Sequence, residues 1–226
     1  MVLNFVISIV DRRHAAGIAS IYEGQGLSLT LGMLGRGTAT RKMLDLYGLA
    51  DTEKMLACTV ADGETTKRLI HDARHRLYLD IPGNGIMAAV PLKSVGGGKT
   101  LAYLTDNKTP DRSLPELDPA HELIIIIAND GFSDDIMDAA REAGAGGGTV
   151  LHAKGTGAHR AEKFFGVSLA DEKELILIVS KTAEKTAIMQ SVLEKAGPGT
   201  TAGAICFSLP VSAVAGLRLL EEDTQA

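Results

Sequence analysis

Residues 123–153 read LIIIIANDGFSDDIMDAAREAGAGGGTVLHA. Leu123–Ala128 is a short apolar run dominated by β-branched side chains, the pattern of a buried strand. Ser133 offers an N-cap, and Asp134 and Asp135 suit a first helical turn. Ile136, Met137, Ala140 and Ala143 share one helical face, which Gly144 closes with a left-handed C-terminus. Thr149–Ala153 is then a second strand. Further on, Lys173–Ser180 reads as a third strand. Ile188, Met189, Val192 and Leu193 line a second helix that Gly197 ends, and Ala204–Leu209 is a fourth strand stopped by Pro210.

The same order of elements is written earlier in the chain. Arg36-Gly37-Thr38 answers Lys154-Gly155-Thr156 at a spacing of 118 residues, and Leu46-Tyr47-Gly48 answers Phe164-Phe165-Gly166. After one single-residue slip, Glu53-Lys54 answers Glu172-Lys173, Ile86 answers Ile205 and Pro91 answers Pro210. Gly26 and Phe5-Val6-Ile7 find Gly144 and Leu123-Ile124-Ile125 in the right order before them. Self-similarity at a fixed period marks a duplicated module. It also gives the N-terminal apolar stretch an internal counterpart, so a secretory leader is not expected there. The first copy reads Leu3–Val10, Ala15–Gln25, Leu27–Leu34, Met55–Ala61, Thr65–Arg76 and Ile86–Val90. The expected class is α+β: two ferredoxin-like (βαββαβ) domains in tandem, each an antiparallel four-stranded sheet with both helices on one face. The boundaries expected are 1–95 for the first domain, 96–120 for a Gly- and Pro-bearing linker, 121–217 for the second domain and 218–226 for a tail. The helix-free sheet faces are too apolar for open water, which predicts a homo-oligomer.

Composition narrows the function. The chain has 226 residues, 45% hydrophobic and 23% charged, with 4% aromatics and no Trp. Net charge is −5, giving no general attraction to nucleic acid or to an anionic membrane. An RNA-binding version of this fold needs stacking aromatics on its central strands, and Leu123–Ala128 and Lys173–Ser180 carry none. No apolar run is long enough to span a bilayer. The charge is uneven: residues 1–95 hold 11 basic and 9 acidic side chains, residues 121–226 hold 9 and 15. Cys58 and Cys206 sit in apolar surroundings without a CxxC pairing, as buried thiols of a reducing cytoplasm do. No GxSxG unit or nucleophile–base pairing appears, so no enzymatic activity is expected. His71 and His75, four apart on a helix, have a spacing that suits a metal, but no third ligand stands near them in sequence and a solvated helix face accounts for both.

Two glycine-rich segments of the second copy suit an anion. In one, a strand starts at Thr149 and ends at Lys154. Gly155, Thr156 and Gly157 then let the backbone turn its N–H groups toward a ligand beside the lysine. In the other, Gly197–Gly203 joins the second helix to the last strand with small and hydroxyl residues. The pattern Gly147-x-Thr149-Val150-x-x-x-Lys154-Gly155-x-Gly157 resembles the strand-to-T-loop signature of the PII family of nitrogen-regulatory signal proteins. Gly203–Val211 is similar to that family's B-loop, last strand and proline–valine pair. The resemblance covers the second copy nearly end to end, whereas the first copy matches by element order and by Arg36-Gly37-Thr38. It implies a tandem, divergent, non-enzymatic cytoplasmic regulator. The ligand would be an adenine nucleotide (ATP or ADP), with 2-oxoglutarate as a further effector, and a target protein would be engaged through a loop. Thr149, Lys154, Gly155, Thr156, Gly157 and Gly203 would form the ligand site. Where the family carries a B-loop lysine, this chain has Ala204. The alternative is a metal- or small-molecule-binding ferredoxin-like module without nucleotide sensing.

Overall fold

The N-terminal apolar run Leu3–Asp11 forms strand β1. A 3-10 turn at Arg12–His14 leads into helix α1 (Ala15–Gly24), then β2 (Leu31–Gly37), β3 (Glu53–Asp62), α2 (Gly63–Leu77) and β4 (Gly85–Pro91). The segment expected as a linker contains a two-turn helix, α3 (Gly98–Leu104). Next come β5 (His121–Asn129), α4 (Ser133–Glu142), β6 (Thr149–Gly155) and the two-residue strands β7 (Lys163–Phe164) and β8 (Val167–Ser168). The chain closes with β9 (Asp171–Lys181), α5 (Thr182–Ala196), β10 (Ile205–Pro210) and β11 (Ala213–Ala215). The computed structural model describes residues 2–27, 29–39, 53–105, 115–155, 163–164, 167–168 and 171–217. This α+β chain divides into two units. One is Met1–Leu34 with Thr40–His121 and Pro210–Ala226; the other is Gly35–Ala39 with Glu122–Leu209.

In the first unit the strand order is β3-β1-β4-β11, with β2 on the outer side of β3. β1 pairs antiparallel with β3 (Ile7↔Cys58) and with β4 (Ile7↔Ala88). The period of two sends Val6 and Val10 of β1, with Ala57 and Ala61 of β3, toward the helices, where they meet Ile18, Ile21 and Tyr22 of α1 and Leu69 and Ala73 of α2. Tyr22 is buried in this cluster, and its hydroxyl is shared with Ser8 Oγ at 2.7 Å and donates to the Ala57 carbonyl. That satisfies the one polar atom a buried tyrosine brings with it. Ile7, Leu56, Cys58 and Ala88, on the face away from the helices, are buried as well. Gly85 starts β4 at φ +150, and a Cβ there would lie 2.5 Å from the Ile9 carbonyl oxygen, so the close pass of β4 along β1 requires glycine. Residues from Pro210 onward belong to this unit, where β11 pairs with β4 (Val214↔Ala88); the sequence had placed them at the end of the second copy.

In the second unit the order is β10-β5-β9-β6, with Arg36 and Gly37 at the end of β2 paired to Val150 and Thr149 of β6. β6 and β9 pair antiparallel from Thr149↔Leu177 to Gly155↔Asp171. Ile124, Ile126, Val150, Ile176 and Ile178 point toward α4 and α5 and pack on Ile136, Met137, Ile188 and Val192, none of them more than 1% exposed. At roughly 1.5–3 kcal/mol for each fully buried aliphatic side chain, this layer is the main source of the unit's stability.

Asp11 shows how the strand ends are held. Its carboxylate accepts from Arg13 N at 3.0 Å and Arg13 Nε at 2.9 Å, with Lys54 Nζ 3.9 Å away. Burial by itself would raise this carboxyl, but the Arg13 hydrogen bonds and the Lys54 charge outweigh it and hold it below the ordinary value. Asp118 is lowered in the same way, burial being outweighed by the His121 ring and the Ala120 N–H. A carboxyl lowered in the folded state stabilises the fold above its unfolded value of about 3.9, and this is lost as the pH falls through the folded value. Urea unfolding free energy should therefore decline below about pH 4. Asp11→Asn should flatten that decline and cost about 1–3 kcal/mol at pH 7; an unchanged profile would contradict this account of Asp11.

Candidate functional site

β6 carries the segment that the sequence singles out, and it separates that segment's two ends. Thr149 is buried, lying between Gly37 and Leu177 in the sheet. Thr38 closes this end: its N–H donates to the Gly148 carbonyl at 3.1 Å, and Gly148 N–H donates to Thr38 Oγ1 at 2.8 Å. Lys154 and Gly155 stand five and six residues further along the strand. Thr149 and Gly155 are thus about 20 Å apart, too far for both to touch one small ligand along this strand. Lys154 Nζ faces Glu172 Oε1 at 3.1 Å with both side chains largely exposed. Thr156 and Gly157 lie outside the described residues.

Gly203 shares the Gly155 end of the sheet. It has φ +55, a backbone that favours glycine, and a Cβ on it would sit 3.6 Å from Asn129 Nδ2. Asn129 ties the α5–β10 loop to the sheet. Its N–H donates to the Ala202 carbonyl at 2.9 Å, its Nδ2 donates to the Thr201 carbonyl at 2.8 Å, and its Oδ1 accepts from Lys173 Nζ at 2.5 Å. The next residue, Ala204, is fully buried in the helix-side core and places no cation at the loop. Of the expected site residues, Lys154, Gly155 and Gly203 therefore come to one end of the sheet and Thr149 to the other.

A second constellation occupies the helix face of that same end. Alternation along β9 puts Glu172 and Glu174 on the side of Ile176, and alternation along β6 puts His152 and Lys154 on the side of Val150. The register makes His152 face Glu174 and Lys154 face Glu172. Ser133 is the first residue of α4, and the N-cap position is Phe132, with no capping side chain of its own. The cap comes from Glu174: Oε2 accepts from Ser133 N at 2.9 Å and Phe132 N at 3.2 Å, and Oε1 accepts from Ser133 Oγ at 2.9 Å. Glu174 is buried, and the positive end of α4 stabilises its charge. His152 Nδ1 lies 3.2 Å from Asp130 Oδ1. Arg36 reaches Ser133 Oγ at 2.9 Å and Asp134 Oδ1 at 3.2 Å. Sequence reading missed this group because its members come from four separate segments. The available signal was Glu174 itself, a charge placed where the β9 alternation asks for an apolar side chain.

His71 and His75 do meet, with ring centroids 4.3 Å apart. Among the described residues, the group of three possible ligands is instead Asp130, His152 and Glu174. The first unit holds a cavity of about 300 Å³, lined by Asp62, Thr65, Arg68 and Thr105 among others.

Residues 121–221 match the family Nitrogen regulatory protein P-II. The matched region begins at β5 and contains the whole β5-α4-β6-β9-α5-β10 order, so these elements are what is similar to that family. No curated protein matches the sequence. Solved structures similar to the chain include a microcompartment protein from Desulfitobacterium hafniense, 10% identical over 93% of this chain and 96% of its own, with a TM-score of 0.26. Another is a protein from Galdieria sulphuraria described as unknown, 9% identical over 93% and 99%, with a TM-score of 0.28. At these scores neither likeness bears on fold or function. Among the described residues, no helix is long and apolar enough to cross a membrane.

Within the P-II region the cap on α4 is testable. Glu174→Gln removes the charge and leaves one carbonyl acceptor for three donors. The expected loss is about 1–3 kcal/mol in urea denaturation; an unchanged midpoint and slope would show that the carboxylate is not what holds α4.

Proposed function

We propose that this protein is a PII-like regulator whose second copy, 121–217, senses a small anionic ligand, foremost an adenine nucleotide, and signals to a target protein through a loop. The match of residues 121–221 to the P-II family carries this reading. The glycine positions support it: Gly155 ends β6 beside Lys154, and Gly203 is anchored through Asn129 at the same end of the sheet.

Thr149 and Gly155 are too far apart for one nucleotide to touch both within a single subunit, so the ligand cleft would lie between the subunits of a homo-oligomer, as the family resemblance implies. The exposed Ile205 and Phe207 on β10 support a homo-oligomer, since side chains of that size favour burial. On this reading the chain is a duplicated ferredoxin-like module in which residues 1–95 are the degenerate copy. The counterpart of Lys154-Gly155-Thr156 is Arg36-Gly37-Thr38, and it is already engaged, Arg36 with Ser133 and Asp134 and Thr38 with Gly148. The first copy's motif would therefore be structural. The second reading, a module without nucleotide sensing, is favoured by one observation: the position of the family's lysine is a buried alanine, Ala204.

Isothermal titration with ATP, ADP and AMP, alone and with 2-oxoglutarate, decides between them. Saturable binding of at least one nucleotide, weakened about tenfold or more by Lys154→Ala, is expected. No heat from any of them at millimolar concentration would reject nucleotide sensing.

A further inference from the structure

We infer that Asp130, His152 and Glu174 form a divalent-cation site of the zinc class, independent of nucleotide sensing. The three residues come from the end of β5, from β6 and from β9, and one ligand atom from each lies within 4.8 Å of the others. Bonds of about 2.0–2.2 Å to a tetrahedral zinc space its ligand atoms about 3.3–3.6 Å apart. His152 Nδ1 and Asp130 Oδ1 already stand at 3.2 Å.

Glu174 is prepared for the same role. Its carboxylate has about four lone-pair positions, and the α4 N-terminus occupies three: two on Oε2 and one on Oε1. One position on Oε1 remains. Phe132 N, Ser133 N and Ser133 Oγ fix the orientation of the carboxylate, as the outer partners of metal-ligating carboxylates do. Asp130 is fixed from its backbone, its N–H donating to the Glu172 carbonyl at 3.3 Å.

Charge points the same way. Among the described residues, Asp130, Asp134, Glu172 and Glu174 stand on the helix face of this end of the sheet with Arg36 and Lys154, while Lys173 lies on the opposite face, an excess of negative charge that a dication relieves. An exposed histidine–aspartate pair contributes little to stability by itself, and capping α4 accounts for Glu174 but for neither of the other two. One imidazole nitrogen with two carboxylate oxygens fits zinc and neighbouring first-row ions better than magnesium or calcium, which favour all-oxygen sets. Three protein ligands leave a fourth position open.

The test is zinc titration of the full-length, chelator-treated, nucleotide-free protein against a chromophoric competitor, with cobalt(II) absorption as a report on ligation. One zinc per chain is expected. His152→Ala and Asp130→Asn, both at exposed positions, should each weaken it tenfold or more and reduce the visible cobalt band, with circular dichroism unchanged. His71→Ala should bind as the unmodified protein does. No stoichiometric zinc, affinity unchanged in His152→Ala, or loss of binding in His71→Ala would each overturn the assignment.

Discussion

A buried carboxylate governs the second unit of this protein. Glu174 stands on β9 where the alternation calls for an aliphatic side chain, and it spends its charge on the first turn of α4. Removing a carboxylate from water is costly unless donors replace the water. Here two backbone N–H groups, a hydroxyl and the helix dipole replace it. That fixes where α4 begins relative to β9. The β6–β9 register then sets His152 beside Glu174 and Lys154 beside Glu172, so the chemistry at this end of the sheet follows from one capping interaction and one strand pairing.

The consequence for ligand binding is a divided sheet end. On the helix face, carboxylates outnumber cations and a histidine stands among them. On the other side, Lys173 and Asn129 brace the loop that ends in Gly203. Lys154 sits on the acidic side, paired with Glu172, so an anion approaching Gly155 competes with that carboxylate for the amine.

Much of the fold was legible in the sequence because each strand and helix satisfies its own hydrophobic period. Leu123–Ala128 and Leu175–Val179 are apolar enough to be strands in any context, and the α4 and α5 faces repeat at helical spacing. What depends on partners distant in sequence was not legible. Ser133 looks like a cap because its neighbours are acidic, yet the capping group lies 41 residues on. The end of β2 belongs with β6, and Pro210 onward with β4; local composition holds no trace of either. The candidate ligand residues were chosen on glycine chemistry, which identifies Gly155 and Gly203 as backbone turns but does not tell that Thr149 is at the far end of the strand.

Ligand sensing is proposed for the Gly155 and Gly203 end of the second unit. Backbone amide NMR of isotopically labelled protein during an ADP or ATP titration tests it most directly, because every glycine N–H reports its own surroundings. The account predicts saturable shifts at Gly155 and Gly203, with Gly17 and Gly85 of the first unit unmoved. Shifts confined to the first unit, or none at either glycine, would contradict it.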